Sequence, residues 1–235
     1  MQRENALPIV SAEKAASVRI YASSVGQKLL VGAAGLFLCS FLVVHLSGNL
    51  LLFKNDGGKA YDEYSHFMST NEVIRVLEIV LFAGFVIHII FGVSTWISNR
   101  LARPKRYRVK ASSENSTLSS RTSFITGSVV FIFLVIHLRS FWVPTRFASG
   151  PEPSAYEMVR AAFMYKSYDA IYLVALAFLG YHLRQGFQSA FQTLGLRPGH
   201  TKLIDWVGVI FWLLIPIGFA AMPLYFLWAH SRGVN

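Results

Sequence analysis

Five apolar runs, each about 20 residues or longer, divide this chain, and polar segments rich in Gly, Ser, Lys and Arg separate them. Their approximate limits are 29–53, 73–98, 123–143, 170–191 and 204–228. At a helical rise of about 1.5 Å per residue, each run is long enough to cross the ~30 Å hydrocarbon core of a bilayer. Five strands are too few for a closed barrel, and lipid offers the backbone of an open edge no partner, so the runs predict helices. The expectation is an all-α integral membrane bundle of five transmembrane helices. It forms one membrane domain over residues 1–235, with a short N-terminal tail, 1–28.

Composition agrees with the pattern. Of 235 residues, 54% are apolar and 14% charged, and the mean hydropathy is +0.45; soluble domains carry about 25% charged residues. The net charge of +10 is explained by topology rather than by nucleic acid. With the N-terminus in the cytoplasm, thirteen Lys and Arg fall in inner segments and six in outer ones. Seven of the thirteen lie in the 2–3 connection around ARPKRYRVK. The positive-inside rule then predicts a cytoplasmic N-terminus and an outer C-terminus. The tail lacks the apolar segment of a cleavable signal, so the first span is expected to remain as an anchor. Cys39 is the lone cysteine, which excludes an intrachain disulfide and a thioether-linked haem. The 1–2 connection reads as a loop opened by a Gly-Gly turn, and Ala155–Tyr165 as an interfacial helix.

Four histidines interrupt the apolar runs: VVHL at His45, VIHI at His88, VIHL at His137 and YHLR at His182. A buried neutral imidazole needs partners for both a donor and an acceptor. Offsets along alternating helices place His45 and His137 in the outer half, and His88 and His182 in the inner half. Each pair joins two helices at one depth, which is what a six-coordinate haem iron requires; two pairs imply two haems b. Gly84 and Gly92 flank His88, Gly186 follows His182 and Gly48 follows His45, leaving room for a flat macrocycle or for close helix packing. Arg139 and Arg184, two residues beyond a ligand candidate, either meet haem propionates or snorkel to the interface. Gln27 and Lys28 at the mouth of the first span are propionate candidates of the same kind.

The pattern SSVGQKLLVGAAG leading into VVHLSGN, then VIHLRSFW, and above all YHLRQGFQSAFQTLG, resembles a known family. It is that of the single-chain, five-helix dihaem cytochrome b anchor of succinate:quinone reductase and quinol:fumarate reductase. The resemblance covers nearly the whole chain. It implies that His45 and His137 ligate a distal haem b, and His88 and His182 a proximal one. It further implies a flavoprotein subunit carrying FAD and an iron–sulfur subunit on the cytoplasmic face. The substrate would be a quinone, usually menaquinone, at the outer side of a bacterial cytoplasmic membrane, and a higher oligomer of the complex is compatible with it. Proton exchange there would use Glu63, Glu78 or His66; a solvated position is the competing role for Glu63. Some dihaem members carry a carboxylate in the fourth helix, where this chain has Gly180, so a compensating proton pathway is not carried over.

Three other readings compete. The cytochrome b anchor of a hydrogenase or formate dehydrogenase would use similar haems with other partners, and the fourth-helix motif argues against it. A histidine-lined proton or metal transporter would grade its histidines in depth. A membrane scaffold would use them for bonds between helices and would be colourless.

Overall fold

In a computed structural model, residues 23–101, 118–147, 154–196 and 202–232 are described, and among them every element is helical. The basic 103–110 stretch, the 148–153 bend and His200 lie outside these residues. Helix α1 (Ser24–Asn49) continues as a 3-10 turn, Leu50–Phe53; α2 is Lys59–Thr70 and α3 is Glu72–Leu101. Helix α4 (Leu118–His137) passes through a π turn, Leu138–Trp142, into α5 (Val143–Phe147). Helix α6 (Ala155–Ala162) meets α7 (Lys166–Thr193) at a bend of 95°. Helix α8 (Lys202–Val209) runs through a second π turn, Ile210–Leu214, into α9 (Ile215–Ser231). Four helical segments are long and apolar enough to cross a membrane, and a fifth if α6 and α7 count as one span.

The sequence places the helix ends. The Ser23 hydroxyl accepts from the Gly26 N–H at 3.0 Å and caps α1. Asn71 caps α3, its Oδ1 accepting from Val73 and Ile74 N–H. Helix α1 therefore begins about a turn before the apolar run it carries. Broad apolar faces remain exposed, as on α3, where Val76, Ile79 and Ile90 point outward; in a bilayer these meet lipid. Helix α7 packs against α1, α4 and α9 and stands in the middle. Its inward stripe is Asp169, Tyr172, Leu176, Leu179, Leu183 and Phe187.

One end of the bundle is covered by α2 and α6, and we refer to it as the capped end. Helix α2 lies where the sequence reading placed a loop. Its polar, tyrosine-rich sequence hid it, but neighbours hold it down. The Asp62 carboxylate accepts from Ser154 Oγ and from the Tyr156 N–H, both at 2.8 Å. A Cβ at Gly48 would lie 2.3 Å from the Tyr64 ring, so the absence of a side chain there seats α2 on α1. Gly58, which leads into α2, has φ +88°, and an added Cβ would come within 2.2 Å of Tyr156. Gly58→Ala should destabilise the cap by roughly 1–3 kcal/mol, read as earlier thermal unfolding in detergent and faster protease nicking at α2.

The last span is continuous but irregular around Pro216. Pro216 has no N–H, so the Trp212 carbonyl lacks its usual helical partner. Gly180 of α7 comes up against that carbonyl: a Cβ there would lie 2.7 Å from the Trp212 oxygen and 3.4 Å from Pro216 Cγ. The π turn Ile210–Leu214 immediately precedes the proline turn.

Candidate functional site: two histidine pairs at two depths

The bundle brings together the histidines that share a depth. His45 of α1 and His137 of α4 have ring centroids 5.7 Å apart, near the capped end. His88 of α3 and His182 of α7 are 6.2 Å apart, toward the opposite end. In both pairs the rings are nearly perpendicular, at 86° and 84°. Helical rise from Val31, beside His88, to His45 gives about 21 Å between the two levels; counting from Tyr172 to His182 gives about 15 Å. Among the described residues no three His, Cys, Asp or Glu side chains gather into a site for a bare metal ion. The histidines offer two rings at a time.

In every one of the four rings it is Nδ1 that meets the protein. His88 Nδ1 lies 3.2 Å from the Val31 carbonyl. A carbonyl can only accept, so Nδ1 carries the proton and Nε2 keeps a lone pair. His182 Nδ1 lies 3.3 Å from Thr126 Oγ1. The single Thr126 hydroxyl proton goes to Ser123 O or Gln185 Oε1, each 3.0 Å away, so His182 is the donor there as well. His137 Nδ1 is 3.1 Å from the Tyr172 hydroxyl, which Tyr168 also contacts at 3.2 Å. The Asn49 NH2 donates to the His45 carbonyl at 2.8 Å and makes a long contact, 3.5 Å, to His45 Nδ1, while Tyr61 of α2 donates to Asn49 Oδ1 at 3.5 Å. Burial, then the neighbouring Tyr64 and Asp62, push the Tyr61 phenol up to about 12, so it stays a neutral donor.

The surroundings of the two pairs differ. Aromatic rings enclose the capped-end pair: Phe41 stacks on His45 at 5.2 Å, and Phe133 and Phe141 flank His137. At the other level each ring rests on a glycine. A Cβ at Gly35 would lie 3.2 Å from His88 Cε1, and one at Gly127 3.2 Å from His182 Cε1. Neither glycine stood out in the sequence; the signal available was a small residue in an otherwise bulky run. Of the four glycines singled out there, Gly92 and Gly186 leave open space, whereas Gly48 and Gly84 are filled by Tyr64 and Phe37. The π turn of α4 starts immediately after His137, with the Val143 N–H reaching Leu138 O.

The other sequence candidates disperse. Arg184 is exposed, lies 5.3 Å over the Trp212 ring and lines a groove with Gln188 and Asp205. Arg139 and Lys28 are exposed. Gln27 Oε1 accepts from Ser94 Oγ at 3.3 Å, beyond His88 from the capped end. Glu63 is 69% exposed and 3.9 Å from Lys59, and His66 is exposed on the same helix. Glu78 is bound by Arg146 at 2.6 and 3.1 Å and by the Trp142 indole N–H. Arg146 also donates to Ser69 O at 2.7 Å, joining α3, α5 and the end of α2. Compared with protein-family models, curated proteins and solved structures, the chain gives no match.

Proposed function

We propose that this chain is a dihaem cytochrome b that anchors a succinate dehydrogenase or fumarate reductase to the membrane and links its iron–sulfur subunit to a quinone. The observation that carries the reading is the pair of imidazole pairs: every ring's Nδ1 lies against a polar group of the protein, and at the His88–His182 level Nδ1 donates, which leaves Nε2 its lone pair. Two imidazoles across one metal ion, each nitrogen about 2 Å from it, hold their ring centroids about 6 Å apart. The separations of 5.7 and 6.2 Å fit that requirement. Level pairs also favour this reading over a transport path with histidines at graded depths.

Val31 and Thr126 act as orienting partners: each accepts the Nδ1 proton, fixing the tautomer and raising the basicity of Nε2. Gly35 and Gly127 let the His88 and His182 rings lie close to the neighbouring helices. Phe41, Phe133 and Phe141 keep water from the capped-end pair. Bound between each pair, a haem would carry one electron at a time along the bundle. The basic 2–3 connection favours a cytoplasmic opposite end, where the flavoprotein with FAD and the iron–sulfur subunit would dock. The capped end then faces outward in a bacterial cytoplasmic membrane, with menaquinone as the quinone.

The test is a pyridine haemochrome assay with a reduced-minus-oxidised spectrum on the purified chain, assembled with haem supplied. Two haems b per chain support the reading, and a colourless protein sinks it. Thr126→Val keeps the shape but leaves His182 Nδ1 unpaired. It should weaken haem binding at the His88–His182 level about 10- to 100-fold, measured by haem titration of the apoprotein, with the other level unchanged.

A further inference from the structure

Asp169 stands apart from the other acidic side chains at the capped end. It is 2% exposed, and neither carboxyl oxygen has a hydrogen-bond partner among the described residues. Asp62, Glu63 and Glu78 are all engaged by neighbours. Asp169 is the outermost member of the inward stripe of α7, a polar residue at a position continued by Tyr172, Leu176 and Leu179. Tyr172 touches His137, so Asp169 lies one turn, about 5 Å along the axis, beyond the capped-end histidine pair. The corner beside it exposes an apolar surface, with Met164 50% and Tyr165 70% accessible.

A buried carboxyl with no partner is costly in either protonation state, since both donor and acceptor capacity go unused. Resting on the electron-transfer reading above, we propose that Asp169 binds a quinone oxygen at the corner between α6 and α7 and exchanges its proton. A quinone offers an acceptor when oxidised and a donor when reduced, which matches a carboxylic acid and a carboxylate in turn. Met164 and Tyr165 supply the apolar approach for its ring and tail. During quinone reduction the two electrons come from the reduced iron–sulfur partner. The Asp169 O–H breaks as one quinone O–H forms, water supplies the second proton, and water reprotonates Asp169. Quinol oxidation reverses each step.

The experiment uses the assembled complex and the haem-loaded chain, each with Asp169→Asn and Asp169→Leu, and menadione as the probe. Both variants should keep two haems. Quinone turnover should fall about 10²- to 10⁴-fold, as for loss of a proton-transfer group. Adding menadione to the haem-loaded wild-type chain should shift an infrared carboxyl C=O band that is absent from both variants. Turnover within about twofold of wild type, or a menadione-induced band that persists in the variants, overturns the assignment. So does loss of haem in Asp169→Leu, because leucine extends an apolar stripe and loss would mark a structural role. A wild-type chain without haem defeats the electron-transfer reading itself, and this assignment with it; turnover retained in a haem-loaded variant defeats this assignment alone.

Discussion

On the dihaem reading, replacing His45 with alanine is expected to lower the haem content of the purified chain from two to one, and His88→Ala should do the same by losing the other haem. The expectation follows from how the rings are held. Each pair joins two helices, α1 with α4 and α3 with α7, so no ring serves both levels. With some 15 to 21 Å between them, emptying one level leaves the packing of the other in place. Removing one imidazole also leaves its partner, His137 or His182, in contact through Nδ1 with Tyr172 or Thr126. The difference spectra of the two variants should be complementary, because the capped-end pair sits among phenylalanines and the other pair on glycines. His66→Ala, an exposed position on α2, should keep both haems. If His45→Ala and His88→Ala instead lose the same haem, the pairing is wrong.

Arg146→Ala is expected to be the most destabilising single change outside the histidines. It would strip Glu78 of a bidentate partner where the two side chains are only 12% and 17% exposed. It would also release the Ser69 carbonyl. Breaking a largely buried pair from one side costs on the order of 3–5 kcal/mol, because a charge is left without compensation. Removing both charges, as Glu78→Leu with Arg146→Met, should recover much of that loss. Denaturant unfolding in detergent separates the two cases. A single variant that unfolds like wild type would mean the pair is solvated. The bond from Trp142 makes this site a junction of α3 and α5 rather than a free proton carrier.

The sequence was most legible where a single physical demand dominated. Apolar length placed the long helices to within about five residues at each end, four of them long and apolar enough to cross a membrane, and helical rise paired His45 with His137 and His88 with His182. It was least legible where the answer depends on a neighbour distant in sequence. KAYDEYSHFMST is too short and too polar to read as a span, so its stripe of Tyr61, Tyr64 and Met68 passed as loop; Tyr64 fits over Gly48 and Asp62 bonds to Ser154 and Tyr156. Thr126, Asn49 and Tyr172 lie within or beside apolar runs as isolated polar residues; only the fold shows that each meets an imidazole. Arg184, by contrast, follows His182 by two positions, which turns it to another face of α7, and there it finds Trp212. The π turns after His137 and before Pro216 have no sequence rule behind them, although Pro216 marks the second.

Gly180 also has an electrical consequence. With the Trp212 carbonyl and Pro216 pressed against its Cα, no carboxylate-bearing side chain fits there unless α9 withdraws, and α7 has none between Asp169 and its end. On the proposed reading, an electron passing between the two histidine levels crosses about half to two-thirds of a ~30 Å core. A full crossing is worth about 2.3 kcal/mol per charge per 100 mV, so each electron gains or loses roughly 1.2–1.6 kcal/mol at that voltage. Membrane voltage would then join the quinone and dicarboxylate potentials in deciding which way electrons run through this chain.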